Sequence, residues 1–216
     1  MTSPADRPDN HNDNHDDDHT SFQGQLLIAM PGLAGEPFEH SVIYLCQHDE
    51  DHAMGLILNR PINGLNFARM LKELGIDNGN HNLDGQKIFR GGPVQNDRGF
   101  VLHSLDYKLD EATLPLGGPL ITLPDGRSEA GIGLTASRDI LVDLSAGSGP
   151  AHALIALGYA GWGQGQLENE IGQNAWLVAP ASQDLLFGDD TDHMWTRALA
   201  SIGIDPAHLS GAAGTA

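Results

Sequence analysis

Residues 41–61 read SVIYLCQHDEDHAMGLILNRP, two apolar runs joined by a short acidic turn. Ser41–Gln47 is rich in β-branched and aromatic residues, and Met54–Leu58 is a second compact apolar run. Two strands with so short a link form a hairpin. Pro61 closes it, because proline offers no N–H to a ladder and holds Arg60 out of the helical region. Upstream, Gln25–Met30 (QLLIAM) reads as a third buried strand, ended by Pro31-Gly32. Downstream the period changes: Phe67, Met70, Leu71 and Leu74 fall at helical spacing within Leu65–Leu74, and Gly75 stops the helix.

The same punctuation continues along the chain. Asp77–Gly85 is a polar loop, and Ile88-Phe89 and Gly99–His103 are strands flanking Gly91-Gly92-Pro93. Leu120–Leu123 and Gly131–Leu134 form another hairpin, turning at Asp125-Gly126. Ser137 is an N-cap candidate for a short helix closed by Gly147. Ala151–Trp162 is compatible with a strand or a helix; a strand over His152–Tyr159 is preferred. A helical turn at Gln166–Ile171, a strand at Ala175–Val178 and a helix at Trp195–Ile202 complete the pattern. Seven or eight strands with four interspersed helices do not follow strict βαβ alternation, which predicts a single α+β domain with a largely antiparallel mixed sheet and flanking helices.

The chain has 216 residues, enough to bury roughly 70% of its unfolded surface without a metal or disulfide staple. Its one cysteine cannot make an internal disulfide, which points to a reducing compartment. Residues 1–20 carry six Asp against one Arg and no large apolar residue except Met1, so a disordered, His-rich acidic tail is expected there, with the folded domain over 21–216 and the small-residue C-terminal end fraying. No apolar run exceeds Ala153–Trp162, far short of the ~20 residues of a membrane span, and no basic, apolar leader opens the chain; a cytoplasmic protein without membrane attachment is expected. The net charge of −18 repels polyphosphate backbones and disfavours direct nucleic-acid binding.

The chemistry-bearing candidates are few. Cys46 lies two residues before His48, so a regular strand would put both on one face, the start of a nucleophilic pair. The stronger reading is a buried structural Cys46 and a solvated His48 at the turn. Gly158, Gly161, Gly163 and Gly165 suggest a phosphate cradle, yet no GxGxxG or P-loop is present and Glu168 and Glu170 follow; a tight strand-to-helix connection is the plainer account. Those two carboxylates, two apart on a helix, face away from each other. His11, His15 and His19 in the tail would hold a divalent metal only weakly. No catalytic residue, metal site or cofactor is assigned. Residues 60–98 hold six basic side chains against four acidic, while 21–59 and 99–216 are strongly acidic. Arg60, Arg90 and Arg98, with the amides of Gly91 and Gly92, are therefore the candidate binding residues, an anion nest for a small anionic ligand or an acidic partner segment. The competing account is that each arginine pairs with a separate structural carboxylate.

Leu26–Pro31, Ser41–Cys46, Gly55, Asn59-Arg60-Pro61, Gly91-Gly92-Pro93-Val94 and Arg98–His103 resemble the bacterial YqgE/AlgH family. The resemblance continues through Thr135–Asp139, Gly158–Trp162, Gly165–Glu168, Glu170-Ile171 and Asn174–Leu177, covering residues 24–214. It departs in the extension of residues 1–20 and in Gly214-Thr215-Ala216, where the family ends in Gly-His-Ala. It implies a compact fold around a partly barrel-like sheet in a cytosolic bacterial protein. It brings no established activity; part of the family's name carries an association with transcriptional control of alginate production. Two functions are therefore expected to compete. The first is a non-enzymatic regulatory or protein-interaction module without direct DNA binding. The alternative is an enzyme or small-ligand sensor with an anion pocket near Arg60, Arg90 and Arg98. A deep pocket with convergent polar groups would favour the second, an exposed apolar surface the first.

Overall fold

The structure is a computed structural model that describes residues 21–33 and 35–209. The expected acidic tail of residues 1–20 and the expected fraying end lie outside the described residues. In chain order the strands are β1 (Gln25–Ala29), β2 (Val42–His48), β3 (His52–Ile57), β4 (Pro61–Asn66), β5 (Lys87–Arg90), β6 (Val94–Ser104), β7 (Thr113–Thr122), β8 (Ser128–Thr135), β9 (Ala153–Gly163) and β10 (Trp176–Pro180). The helices are α1 (Phe67–Leu74), α2 (Asp139–Ala146), α3 (Gln166–Gly172), α4 (Gln183–Phe187) and α5 (Met194–Ser201). No helix among the described residues is long and apolar enough to cross a membrane.

The ten strands form one sheet in the order β10-β1-β2-β3-β9-β6-β8-β7, with β4 and β5 branching from β9. Every pairing is antiparallel except β5 on β9. The expected hairpin is β2–β3, in register Ile43↔Ile57 through His48↔Ala53. β9 is the spine: its first half pairs β5 on one edge and β6 on the other, and its second half pairs β3. The mixed α+β class, the antiparallel predominance and the single domain thus hold.

The sheet curls without closing. β7 turns back over the first hairpin, where the Tyr44 hydroxyl donates to the Gly117 carbonyl at 2.8 Å. Inside the curl lies the main core, with Tyr44, Leu56, Leu102, Ile132 and Ala156 facing inward and α4 and α5 inserting Leu185, Leu186, Met194 and Leu199. Two smaller clusters lie on the outer side. One, with Ile43, Trp162 and Trp176, is covered by α3 through Leu167; the other, with Ile88, Val101 and Ile155, is covered by α1 and α2 through Phe67, Leu71, Ile140 and Leu144. Strands buried on both faces explain why β1, β2 and β3 read as continuous apolar runs rather than alternating ones.

The structure adds to or corrects the expectations at three places. β3 ends before Pro61 as expected, and Pro61 then starts an additional strand, β4, the free edge beside β5, where its missing N–H costs no ladder bond. β7 begins at Thr113, well before the expected Leu120, because Pro115, Gly117, Gly118 and Pro119 are tolerated on an edge strand with a register shift between Leu116 and Leu120. α4 was not anticipated: it is only five residues long, and Ser182 caps it by accepting from the Leu185 amide.

Candidate functional site

The three candidate arginines engage different partners. The Arg90 amide donates to the Arg60 carbonyl at 2.8 Å, so the two backbones are neighbours in the ladder. Arg60 turns its guanidinium onto the carbonyls of Asn59 and Glu39. Its buried Nε has no partner among the described residues. It lines a polar cavity of about 310 Å³ with His40, Thr191, Asp192 and Trp195; neither Arg90 nor Arg98 reaches that cavity. Arg90 is exposed, opposite Leu157 in the β5–β9 register. Arg98 lies over the Phe100 ring at 5.2 Å and bonds Gln95 at 3.4 Å. Carbonyls and a ring, not separate carboxylates, engage Arg60 and Arg98.

The backbone at Gly91 and Gly92 is enclosed. Both are buried, the Gly91 amide donates to the Leu157 carbonyl at 2.8 Å, and the Gly91 carbonyl accepts from Ile57. A Cβ on Gly91 would sit 2.2 Å from the Gly158 carbonyl oxygen, and one on Gly92 would sit 2.0 Å from the Tyr159 carbonyl carbon. The pair lets the chain cross from β5 to β6 against the back of β9. Gly158, at φ +72° inside β9, bends the strand at the same crossing, so the glycines before α3 serve the strand rather than a phosphate.

The Cys46–His48 expectation fails for a definite reason. The β2–β3 register shifts between Leu45 and Gln47, a bulge that sends Cys46 into the inner core while His48 follows Ala53 to the outer side. His48 is buried, not solvated: its Nδ1 accepts from the Phe22 amide at 3.1 Å and its Nε2 lies 3.0 Å from Glu168. Glu170 points elsewhere, accepting from the indoles of Trp162 and Trp176 at 2.9 and 2.8 Å, so the two carboxylates do face apart. Burial pushes the Cys46 thiol far up, which makes it a poor nucleophile. Native protein should therefore leave a thiol reagent such as dithionitrobenzoate unreacted until denaturant is added; a stoichiometric reaction within minutes in buffer would refute its burial.

Sequence reasoning missed a buried polar chain. His103 is fully buried on β6, and its Nδ1 faces the Ser104 carbonyl at 2.9 Å, so Nδ1 carries the proton and Nε2 accepts from Thr135 Oγ1 at 3.0 Å. Thr113 Oγ1 lies 2.8 Å from Thr135 Oγ1 and itself accepts from the Leu109 amide at 2.9 Å. Burial holds the imidazole below its usual value, hence neutral. Gly133, opposite His103, leaves the room the ring needs: a Cβ there would lie 2.6 Å from Cε1.

Sequence reasoning also missed a groove where α1 and α2 leave the sheet. It encloses about 320 Å³, and Leu65, Met70, Leu74, Val101, Leu141 and Leu157 supply its apolar walls. Leu74 remains 44% exposed at its mouth. Glu73 and Asp97 stand on the rim, and the rim cation Arg138 is engaged, donating to the Leu74 carbonyl at 2.7 Å. The signal in the sequence was Leu74 on α1 and Leu141 on α2, apolar positions at the margins of their helices' buried stripes. Helices separated by some 65 residues gave no hint that they share one groove.

The fold and its seams define an α+β protein on a curled open sheet, with clefts where the covering helices leave it. Comparison with known proteins then gives the family. The AlgH-like family model matches residues 26–207. A UPF0301 protein of Bradyrhizobium diazoefficiens is 49% identical over 199 residues, spanning 89% of this chain and 87% of its own. One from Caulobacter vibrioides is 46% identical over 194 residues, covering 89% and 93%. The solution structure of AlgH from Pseudomonas aeruginosa superposes with a TM-score of 0.69 at 39% identity, over 92% of this chain and 97% of that one. A crystal structure from Corynebacterium diphtheriae, at 18% identity and a TM-score of 0.61, shares the fold. The chain belongs to the AlgH-like family.

Proposed function

We propose that this chain is a non-enzymatic protein-interaction module of the cytoplasm that receives a partner in the groove between α1 and α2 and does not contact DNA directly. One observation carries the reading: the groove's walls are largely apolar, and its charged groups are few. Open apolar concavities of this kind suit a side chain or two of a docking segment better than a reaction. The occupant is an apolar protein segment flanked by Lys or Arg. Asp97 on the rim, in a chain of net charge −18, favours a basic flank and repels an acidic one, while Glu73 is already paired with Arg69. Any regulatory role would run through that partner, since a net charge of −18 disfavours direct contact with DNA.

The test is fluorescence anisotropy at about 150 mM salt, near physiological screening. A labelled peptide with a Leu-rich centre and Lys flanks should bind, and Leu141→Asp should weaken it at least tenfold. The same peptide with Glu flanks, and a random DNA duplex, should give no complex at micromolar protein. Equal binding of the Glu-flanked peptide, or saturable duplex binding, would overturn the reading.

A further inference from the structure

A second cleft lies on the other face of the sheet, where β5 meets the segment joining α4 to α5. It encloses about 380 Å³. Its floor is buried and apolar: Leu58, Phe89, Leu154, Leu186 and Met194. Lys87 stands at its mouth. The ammonium donates to Thr191 Oγ1 at 3.1 Å and to the Asp189 carbonyl at 3.4 Å. An ammonium has three N–H donors, so one remains without an acceptor among the described residues. Asn82 lines the same mouth with an amide that also has no hydrogen-bond partner among the described residues. Lys87 is held in place by contacts on the far side of the cleft, so little side-chain freedom is lost when a ligand meets it.

We propose that this cleft binds a small amphipathic monocarboxylate, with its hydrocarbon body on the Leu154–Leu186–Met194 floor and its carboxylate on Lys87 and Asn82. The volume accommodates a chain of about eight carbons with room to spare, in the range of small-molecule sites. The charge of the head group is set by the rim. Among the described residues Lys87 is the one cation lining the cleft, and it offers a carboxylate its free N–H beside the Asn82 amide, while the neighbouring Asp189 opposes the second charge of a phosphate ester. The cleft is separate from the α1–α2 groove and does not depend on that groove's function.

The experiment is an NMR titration of the folded chain with octanoate below its micelle concentration, read at the Met194 methyl and the Leu154 and Leu186 methyls. Saturable shifts at these three positions are expected. Lys87→Gln should weaken binding at least tenfold, and Lys87→Arg should retain most of it. Octyl phosphate should bind several-fold more weakly than octanoate, and octylamine should not bind. Leu141→Asp, in the other groove, should leave octanoate binding unchanged. Octylamine binding as tightly as octanoate, unchanged affinity in Lys87→Gln, or shifts confined to the Leu74 and Leu141 methyls would each overturn the proposal.

Discussion

Replacing Gly91 or Gly92 with alanine should cost more than about 3 kcal/mol, because the new methyl meets backbone atoms that have no flexible end to move aside. At Gly91 the obstacle is the Gly158 carbonyl oxygen at 2.2 Å, and at Gly92 the Tyr159 backbone at 2.0 Å. Relief would need β5 and β9 to separate, breaking the bonds from the Gly91 amide to Leu157 and from Ile57 to the Gly91 carbonyl. For a chain of this size the thermal midpoint should fall by roughly 10 °C, or the variant should not accumulate folded. An open anion nest would behave differently: its glycines would accept alanine with little effect on folding. A midpoint within about 2 °C of wild type would restore that reading.

The next largest effect should come from Thr135→Val. Valine matches threonine in shape, but it leaves the buried His103 Nε2 without a donor and the half-buried Thr113 hydroxyl without an acceptor. Such orphaned groups cost about 1–3 kcal/mol each, so a loss of about 2–3 kcal/mol is expected. The pH dependence identifies the histidine. Folding holds the His103 imidazole below its usual value by burial, so the unfolded chain takes up a proton that the folded chain refuses. Stability from this group is therefore full above about pH 6.5 and lost as pH falls, levelling off below the folded-state value. In urea melts from pH 7.5 to 5, His103→Asn should show a shallower loss than wild type. Identical slopes would show that the ring titrates freely.

How much of this was legible depends on the length scale of the determinant. The β2–β3 hairpin was readable because its apolar runs and the His48–His52 link lie within 20 residues, and α1 because Phe67, Met70 and Leu71 repeat at helical spacing over a single element. The bulge at Cys46–Gln47 was not, because no glycine or proline marks it; the pull of Phe22 and Glu168 on His48 comes from residues 26 and 120 positions away. The early start of β7 was not readable because Pro115 and Pro119 are tolerated at an edge, and position in the sheet, edge or centre, is invisible in a linear pattern. Charge clustering over residues 60–98 suggested a nest, but the Gly91 amide is taken by the Leu157 carbonyl and the Arg60 guanidinium by the carbonyls of Asn59 and Glu39, partners that no linear pattern reveals. The groove was beyond reach for the complementary reason: Leu74 and Leu141 become neighbours only once α1 and α2 pack on the same strip of sheet.

Docking of a partner in the α1–α2 groove is read out by methyl-resolved NMR of the folded chain during titration with the Lys-flanked peptide. Saturable shifts are expected at the Leu74, Val101, Leu141 and Leu157 methyls, with Leu114 and Leu120 of β7 unmoved although they are 50% and 63% exposed. Shifts centred on Leu114 and Leu120, with the groove methyls silent, would contradict it.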